Sequence, residues 1–403
     1  MKINVGVIFG GRSVEHEVSI ISAIQAMENI DKDKYNVIPI YLTKDSEFYT
    51  GKNLNNIRKY KDISKLLKES ERVLLVSNNH QVELVKYPNK LFNGKNTKVD
   101  VILPIVHGTN VEDGGLQGYL KTLNVPFGGS DILASSIGMD KHIFKILLKD
   151  RNIPVLDSLV FSNFMYIEEK EKVLKEITKK FKYPVIIKPI NLGSSIGIRK
   201  ANNDNDLVGA IEYALLFTNK FLVEPAIENL KEVNCSVLGD AYLQETSVLE
   251  EPLGKDEILS YQDKYEGSSK TKGEGGMASL ARLIPADVSK EVAKKVEEYA
   301  IETFKVLGCS GVVRIDFLIN LDDNKIYVNE INTIPGSLSY YLWSPKGLTY
   351  QNMLDKIIML AIKKHKEENE LTYKFDTRIL ENYKGGSKSG KNWHHFLFSI
   401  NIF

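Results

Sequence analysis

Gly311-Val312-Val313-Arg314-Ile315-Asp316-Phe317-Leu318-Ile319, followed after a short polar turn by Lys325-Ile326-Tyr327-Val328-Asn329-Glu330-Ile331-Asn332, reads as two apolar strands whose polar residues fall on matching beats. Side chains alternate faces along a strand, so Arg314 shares a side with Asp316, and Glu330 shares one with Asn332. Taking residues 320–324 as a hairpin turn centred on Asp323 sets Arg314 opposite Asn332 and Asp316 opposite Glu330. One face then carries two carboxylates, an amide oxygen and a guanidinium. A few hard oxygen ligands that leave room for waters and substrate phosphates are what magnesium takes in nucleotide enzymes. The guanidinium beside them is a phosphate clamp; the plainer alternative is a solvated hairpin face.

Composition narrows the field around this hairpin. A chain of 403 residues exceeds what one hydrophobic core usually serves, so two or three domains are expected. The apolar fraction of 43% and charged fraction of 26% are those of an ordinary globular protein. With 53 basic and 52 acidic residues the formal net charge is +1, which offers no broad basic field to nucleic acid. Small-molecule chemistry is the better expectation. Two cysteines, Cys235 and Cys309, sit in apolar sequence and read as buried free thiols of a reducing cytosol rather than as a disulfide framework. The apolar start, Met1 to Phe9, runs straight into Gly10-Gly11-Arg12 and is too short for a secretory leader, and no apolar run reaches the roughly 18 residues of a membrane span. A cytoplasmic protein without membrane contact is expected.

The first 130 residues alternate strands (Ile3 to Phe9, Asn36 to Thr43, Val101 to Val106, a short Val125 to Phe127) with a helix from about Glu17 to Asn29, for which Ser13 is the candidate cap. Such alternation predicts a parallel sheet with helices on its faces, and the lysine-rich stretch 45–98 reads as a helix and hairpin peripheral to it. A helix from Lys141 to Asp150 leads to a second unit: helix 167–180, strand 184–188, a glycine-serine loop, strand 195–199, helix 206–217 and strand 220–224. The third part holds a strand 232–238, a long loop 261–279, a helix 289–307, the hairpin and a last helix 350–364. The domains expected are 1–130, 131–217 and 218–365, with 366–403 as a charged, flexible tail.

Several motifs carry chemistry, each with a structural alternative. Lys188-Pro189-Ile190-Asn191-Leu192-Gly193-Ser194-Ser195 offers turn amides, two hydroxyls and an ammonium to phosphate, or is an ordinary turn; it lacks the Gly-Lys-Ser/Thr ending of a Walker loop. Lys141 opens a helix and is a second phosphate partner or a solvated first-turn lysine. Glu224 ends a strand, where it can accept from an adenine amino group or stay solvated; Glu232 follows eight residues on, suited to ribose hydroxyls. His107 ends an apolar strand, where open parallel sheets place ligand groups and where structural histidines are equally common. Glu15, in the glycine-bearing turn Gly10-Gly11-Arg12-Ser13-Val14-Glu15, would repel a pyrophosphate and suits a substrate ammonium.

Taken in series, these residues resemble the D-alanine-D-alanine ligases of the ATP-grasp superfamily. The resemblance runs over roughly residues 1–363, through Gly10-Gly11-x-Ser13-x-Glu15, His107-Gly108, Glu112-Asp113-Gly114, Gln117-Gly118, Met139-Asp140-Lys141, Lys188-Pro189, Gly193-Ser194-Ser195, Lys264-Tyr265, Gly311-x-x-Arg314-x-Asp316 and Asn329-Glu330-x-Asn332-Thr333-x-Pro335-Gly336. It implies an α/β, three-domain architecture: an N-terminal parallel-sheet domain and two α+β domains that clasp ATP. The implied reaction phosphorylates one D-alanine and joins it to a second, for peptidoglycan precursors.

The resemblance also implies roles. Asp316, Glu330 and Asn332 would bind two magnesium ions, with manganese as the other metal; Lys141, Lys188 and Ser195 would hold phosphates; Glu224 and Ile227 would meet adenine and Glu232 the ribose. Arg314 and the Gly336 amide would stabilise an oxyanion. Glu15 would bind the first substrate's ammonium and form a triad with Ser194 and Tyr265, while Lys264 reaches the transferred phosphate from the closing loop. His107, Tyr341 and Leu342 would border the substrates. Tyr341 stands where the family usually has a serine, which keeps a D-alanine-D-serine ligase as the rival. A homodimer follows only by analogy with the family.

Overall fold

The computed structural model describes residues 2–79, 81–88, 96–193, 195–253 and 282–373. Residues 1–365 form one compact body, and of a second unit, 366–403, only residues up to 373 are described.

The first sheet takes seven strands: β1 (Ile3–Gly10), β2 (Tyr35–Leu42), β3 (Phe48–Thr50), β4 (Glu71–Asn78), β5 (Gln81–Lys86), β6 (Thr97–Val99) and β7 (Val101–Val106), in the order β6-β5-β4-β3-β2-β1-β7. β1 runs parallel to β2 and β7, the expected parallel core. All six residues of β7 are buried, as an unbroken apolar strand covered on both faces should be. Residues 45–98 do not stay peripheral: β3 to β6 extend the same sheet antiparallel. Val73, Leu75, Val82 and Leu84 alternate into its core, a period-two signal blurred in the sequence because outward-facing Leu74 and Val76 are apolar too. The short strand expected at 125–127 is a single bridge, Ile102 to Phe127, because Pro126 has no N–H to continue a ladder.

Helix His16–Asn29 packs under β1 and β7. Ser13 does not cap it in the expected way; its Oγ accepts the Glu15 N–H at 3.0 Å and tightens the preceding turn.

The second sheet, β8 (Leu159–Ser162), β9 (Val185–Pro189), β10 (Arg199–Ala201) and β11 (Lys220–Pro225), is antiparallel in the order β10-β9-β11-β8. Helices Lys170–Lys180 and Asp204–Ala214 close its core around Ile177, Ile187, Ile211 and Phe221. The helix expected over 167–180 is two pieces, with Asn163–Glu168 set apart at Glu169, and the strand expected at 195–199 begins only at Arg199.

The third sheet orders β12 (Leu230–Gly239), β13 (Gln244–Thr246), β16 (Gly311–Asn320) and β17 (Lys325–Asn332) as β13-β12-β16-β17, beside a two-stranded β14 (Glu251–Pro252) and β15 (Arg282–Leu283). Helix Lys290–Leu307, capped by Ser289 and ended by Gly308, covers it. Phe144 and Leu148 of helix Lys141–Asp150 also pack into this core, with Phe304, Phe317 and the free thiols Cys235 and Cys309. The last helix, Tyr350–Asn369, lays Met353, Leu354, Ile357 and Ile358 into the core of the first sheet.

In the hairpin, Arg314 pairs with Asn332 and Asp316 with Glu330, the register read from sequence. The cause is only partly the turn. Between Asp316 and Phe317 the register shifts, Phe317 pairing with Val328, so Asn329 is an extra, unpaired residue.

Gly311 starts β16 at φ +75, and a Cβ there would lie 3.0 Å from both N and Cα of Gly129. Gly311→Ala is expected to cost about 1–3 kcal/mol, seen as a lower urea midpoint by circular dichroism; an unchanged midpoint would contradict this packing.

Candidate active site

A single cleft is bordered by Glu15, His107, Lys141, Lys188, Ser195, Glu224, Ile227, Glu232, Arg314, Asp316, Glu330, Asn332 and Gly336. Residues scattered from the first turn to the last hairpin thus meet. Ser194, Lys264 and Tyr265 lie outside the described residues.

The hairpin supplies the oxygen set. The Arg314 guanidinium forks onto Asp316, Nε to Oδ1 at 2.6 Å and Nη2 to Oδ2 at 2.7 Å, and Asn332 Nδ2 reaches Asp316 Oδ2 at 3.2 Å. Glu330 Oε2 lies 3.3 Å from Lys141 Nζ. Among the described residues no group of three or more His, Cys, Asp or Glu could hold a metal ion by itself. Two carboxylates and an amide oxygen instead suit a hard ion that takes its other ligands from water and phosphate.

Behind this set lies a buried charge cluster. Glu224 is 1% exposed, and its carboxylate is shared by Lys145, at 2.5 Å from Oε2, and Lys188, on Oε1. Burial alone would raise the Glu224 carboxyl; the two ammonium groups outweigh it and hold it down at about 2. Burial likewise pushes the Lys145 ammonium down, against the pull of Glu224. Lys188 Nζ also donates to the bulge residue Asn329, at 3.1 Å from Oδ1, and Lys141 Nζ to the Leu192 carbonyl at 2.6 Å. Asp140 caps helix Lys141–Asp150, accepting from the His142 and Ile143 N–H groups, so Lys141 and Lys145 lie one turn apart on one side. Glu224 therefore has partners other than the adenine expected of it; a base amino group would use only the lone pairs the lysines leave. The neighbouring wall of Leu156, Ile186, Ile198, Ile227, Leu230 and Leu318 is apolar, as the faces of a purine require.

At the other end, His16 fixes the turn that presents Glu15, its Nδ1 2.6 Å from the Gly11 carbonyl and its Nε2 2.8 Å from the Tyr41 hydroxyl. Glu15 lies so close to Gly108 that a Cβ there, at φ +83, would sit 2.8 Å from Oε2 and 2.2 Å from Ser13 Oγ. His107 borders the cleft, but both ring nitrogens are committed within the protein, Nδ1 at 2.8 Å from the Ile334 carbonyl and Nε2 at 3.0 Å from Ser22 Oγ. Burial holds it neutral, down at about 4. The expected substrate contact of His107 is thus not made through a ring nitrogen.

Tyr341 and Leu342 do not border the cleft. Leu342 is 0% exposed within the core of the first sheet, and its carbonyl accepts the Val248 N–H. Tyr341 points its hydroxyl to Glu250, 3.1 Å away, with the Arg282 guanidinium 4.3 Å above its ring. Lys145 and Glu250 were not singled out in the sequence, and Asn329 stood there only as part of a motif, without a role. The four-residue spacing from Lys141 could have found Lys145; the other two depend on a bulge and a tertiary contact.

The family model "D-ala D-ala ligase N-terminus" matches residues 4–130 and "D-ala D-ala ligase C-terminus" residues 147–359. The chain is 40% identical over 380 residues to the D-alanine--D-alanine ligase of Thermosipho melanesiensis, covering 94% of this chain and 98% of the relative. Among solved structures it is similar to the D-alanine-D-alanine ligase from Coxiella burnetii, with a TM-score of 0.76 and 27% identity over 92% of this chain and 96% of that one. It is also similar to the VanG D-Ala:D-Ser ligase from Enterococcus faecalis, with a TM-score of 0.74 and 32% identity over 90% and 100%.

Lys145→Met leaves Glu224 with one ammonium, and breaking such a buried pair is expected to cost about 3–5 kcal/mol. Because the Glu224 carboxyl is held below its ordinary 4.5, its contribution is complete above that pH and is lost as pH falls towards 2. Urea unfolding should show a wide gap between wild type and variant at neutral pH that narrows in acid; a gap independent of pH would contradict the pairing.

Proposed function

The chain belongs to the D-alanine-D-alanine ligase family, and on that premise we propose that it joins two D-alanines in an ATP-dependent ligation. The observation that carries this reading is the meeting of the oxygen set Asp316, Glu330 and Asn332 with Lys141, Lys188, Glu15 and Gly336 in one cleft.

In the proposed first step, a carboxylate oxygen of one D-alanine attacks the γ-phosphorus of ATP and the bond from that phosphorus to the bridging β-phosphate oxygen breaks, leaving an acyl phosphate with ADP still beside it in the cleft. Then the amine of the second D-alanine adds to the acyl carbon, the carbonyl pair moves to oxygen, and collapse expels inorganic phosphate as the amine gives up a proton. Such chemistry asks for positioned charges rather than a protein nucleophile. Lys141 and Lys188 hold the nucleotide phosphates, with Ser195 beside them. Glu232 takes the ribose, and Ile227 with the apolar wall and Glu224 takes adenine. Glu15 receives the first ammonium. Arg314, released from Asp316, and the Gly336 amide meet the oxyanion. Asp316, Glu330 and Asn332 would hold magnesium, or manganese in its place, which when bound neutralises charge between the transferring phosphates. Ser194, Tyr265 and Lys264 would complete the closing side.

The reading carries by family analogy a homodimer in the cytoplasm. Among the described residues no helix is long and apolar enough to cross a membrane. A second reading, D-alanine-D-serine ligation, rests on Glu250, which borders the cleft and takes the hydroxyl of Tyr341, the residue that stands where the family usually has a serine.

Purified protein given ATP, magnesium, D-alanine and D-serine is expected to yield mainly D-alanyl-D-alanine by mass spectrometry; predominant D-alanyl-D-serine would establish the second reading and no dipeptide would contradict both. Asp316→Ala is expected to lower turnover by more than about 100-fold.

A further inference from the structure

The reaction as proposed has no use for Glu112, Ser19, Ser22 or Gln25, yet all four side chains reach the short segment Thr333–Ser337 or His107 beside it. Ser19, Ser22 and Gln25 recur every three residues along helix His16–Asn29 and so share one side. Ser19 Oγ accepts the His107 N–H at 2.9 Å. The Ile334 carbonyl can only accept, so His107 Nδ1 carries the ring hydrogen; Nε2 then accepts from the Ser22 hydroxyl. Ser22 Oγ in turn accepts the Ser337 N–H at 3.0 Å, and the Ser337 hydroxyl donates to Gln25 Oε1 at 2.7 Å. From the other side, Glu112 Oε1 accepts the Ile334 N–H at 2.9 Å, with the Thr333 hydroxyl at 3.4 Å, while Oε2 accepts the Gly108 N–H at 3.0 Å.

Both backbone groups of Ile334 are therefore held by side chains of the loop that follows β7, and the amide of Ser337 by a side chain of helix His16–Asn29. Between them lies Gly336, which borders the cleft. Directly after it, Ser337, Leu338 and Ser339 take φ values of 50, 51 and 52, three left-handed residues in succession. L-residues keep such a conformation only where their surroundings over-determine it.

We propose that Glu112, His107 and Ser22 are positioning residues that clamp Thr333–Ser337, the segment that leads into this left-handed turn, and that the clamp acts on the addition of the second amine by aiming the Gly336 amide at the forming oxyanion. This rests on the ligase reading and adds to it three residues that act through a backbone donor rather than on substrate. A carboxylate is the better clamp for two N–H groups and a hydroxyl than its amide, because it only accepts. Burial, then the charge of Glu15, push the Glu112 carboxyl up to about 7, so this acceptor sits at the edge of its working form near neutrality.

The test separates the two steps. ATP carrying heavy oxygen in the β,γ-bridge scrambles that label into the β-phosphate whenever phosphoryl transfer to D-alanine reverses, which reports the first step alone. In Ser22→Ala and Glu112→Gln, dipeptide formation is expected to fall by about 10- to 100-fold, with KM for ATP within about twofold and label scrambling retained. Should one variant fail to fold, the other carries the comparison. General damage to the fold would lower both rates together, and that outcome, or unchanged dipeptide formation in both variants, would overturn the clamp. Wild-type protein showing neither scrambling nor dipeptide would overturn the ligase reading and the clamp with it.

Discussion

The site depends on the pairing of β16 with β17 and on the bulge within it. Val313, Ile315 and Phe317 fill the core from one face of β16, which leaves Arg314 and Asp316 for the other. A slip of one residue would exchange the faces and bury a guanidinium and a carboxylate among Phe144 and Phe304. That penalty makes the register nearly compulsory. The bulge then adds Asn329 without disturbing the alternation beyond it, and Asn329 takes Lys188, so the third sheet holds a lysine of the second.

Electrostatics in the cleft follow from burial. Lys141, Lys145 and Lys188 are each less than a tenth exposed, and each has an acidic partner, Glu330 for the first and Glu224 for the other two. Such networks seldom add net stability, because desolvation consumes most of the attraction. What they do is fix the place of positive charge before a phosphate arrives, which is what phosphoryl transfer needs from a protein. The fork of Arg314 on Asp316 belongs to the same logic, since a nucleotide with its metal would give each of the two a new partner.

Much of this was legible in the sequence because strand alternation and turn chemistry are local. The faces of the two hairpin strands, helix Lys141–Asp150 and the apolar β7 all follow from the period of the side chains. Their site residues met as the order of motifs implied. What could not be read was non-local. The register at Asp316 came out as expected although the turn occupies residues 321–324, because the bulge added the residue that the longer turn was expected to supply. Glu224 was read as an adenine contact or a solvated strand end, because nothing in its neighbourhood announces Lys145, which comes from a helix 79 residues earlier. Leu342 and His107 were placed at the substrates; burial commits the side chain of the first and both ring nitrogens of the second to the protein. The extension of the first sheet by residues 45–98 was hidden because Leu74 and Val76 put apolar side chains on the outward beats of β4 as well.

On the proposed reading, Asp316, Glu330 and Asn332 form a metal site completed by nucleotide phosphates and not by protein alone. Titration with manganese, followed by electron paramagnetic resonance with and without a non-hydrolysable ATP analogue, tests it directly. Tight uptake is expected only when the nucleotide is present, and is expected to be lost in Asp316→Ala. Equally tight uptake without nucleotide, or uptake that survives the substitution, would contradict it.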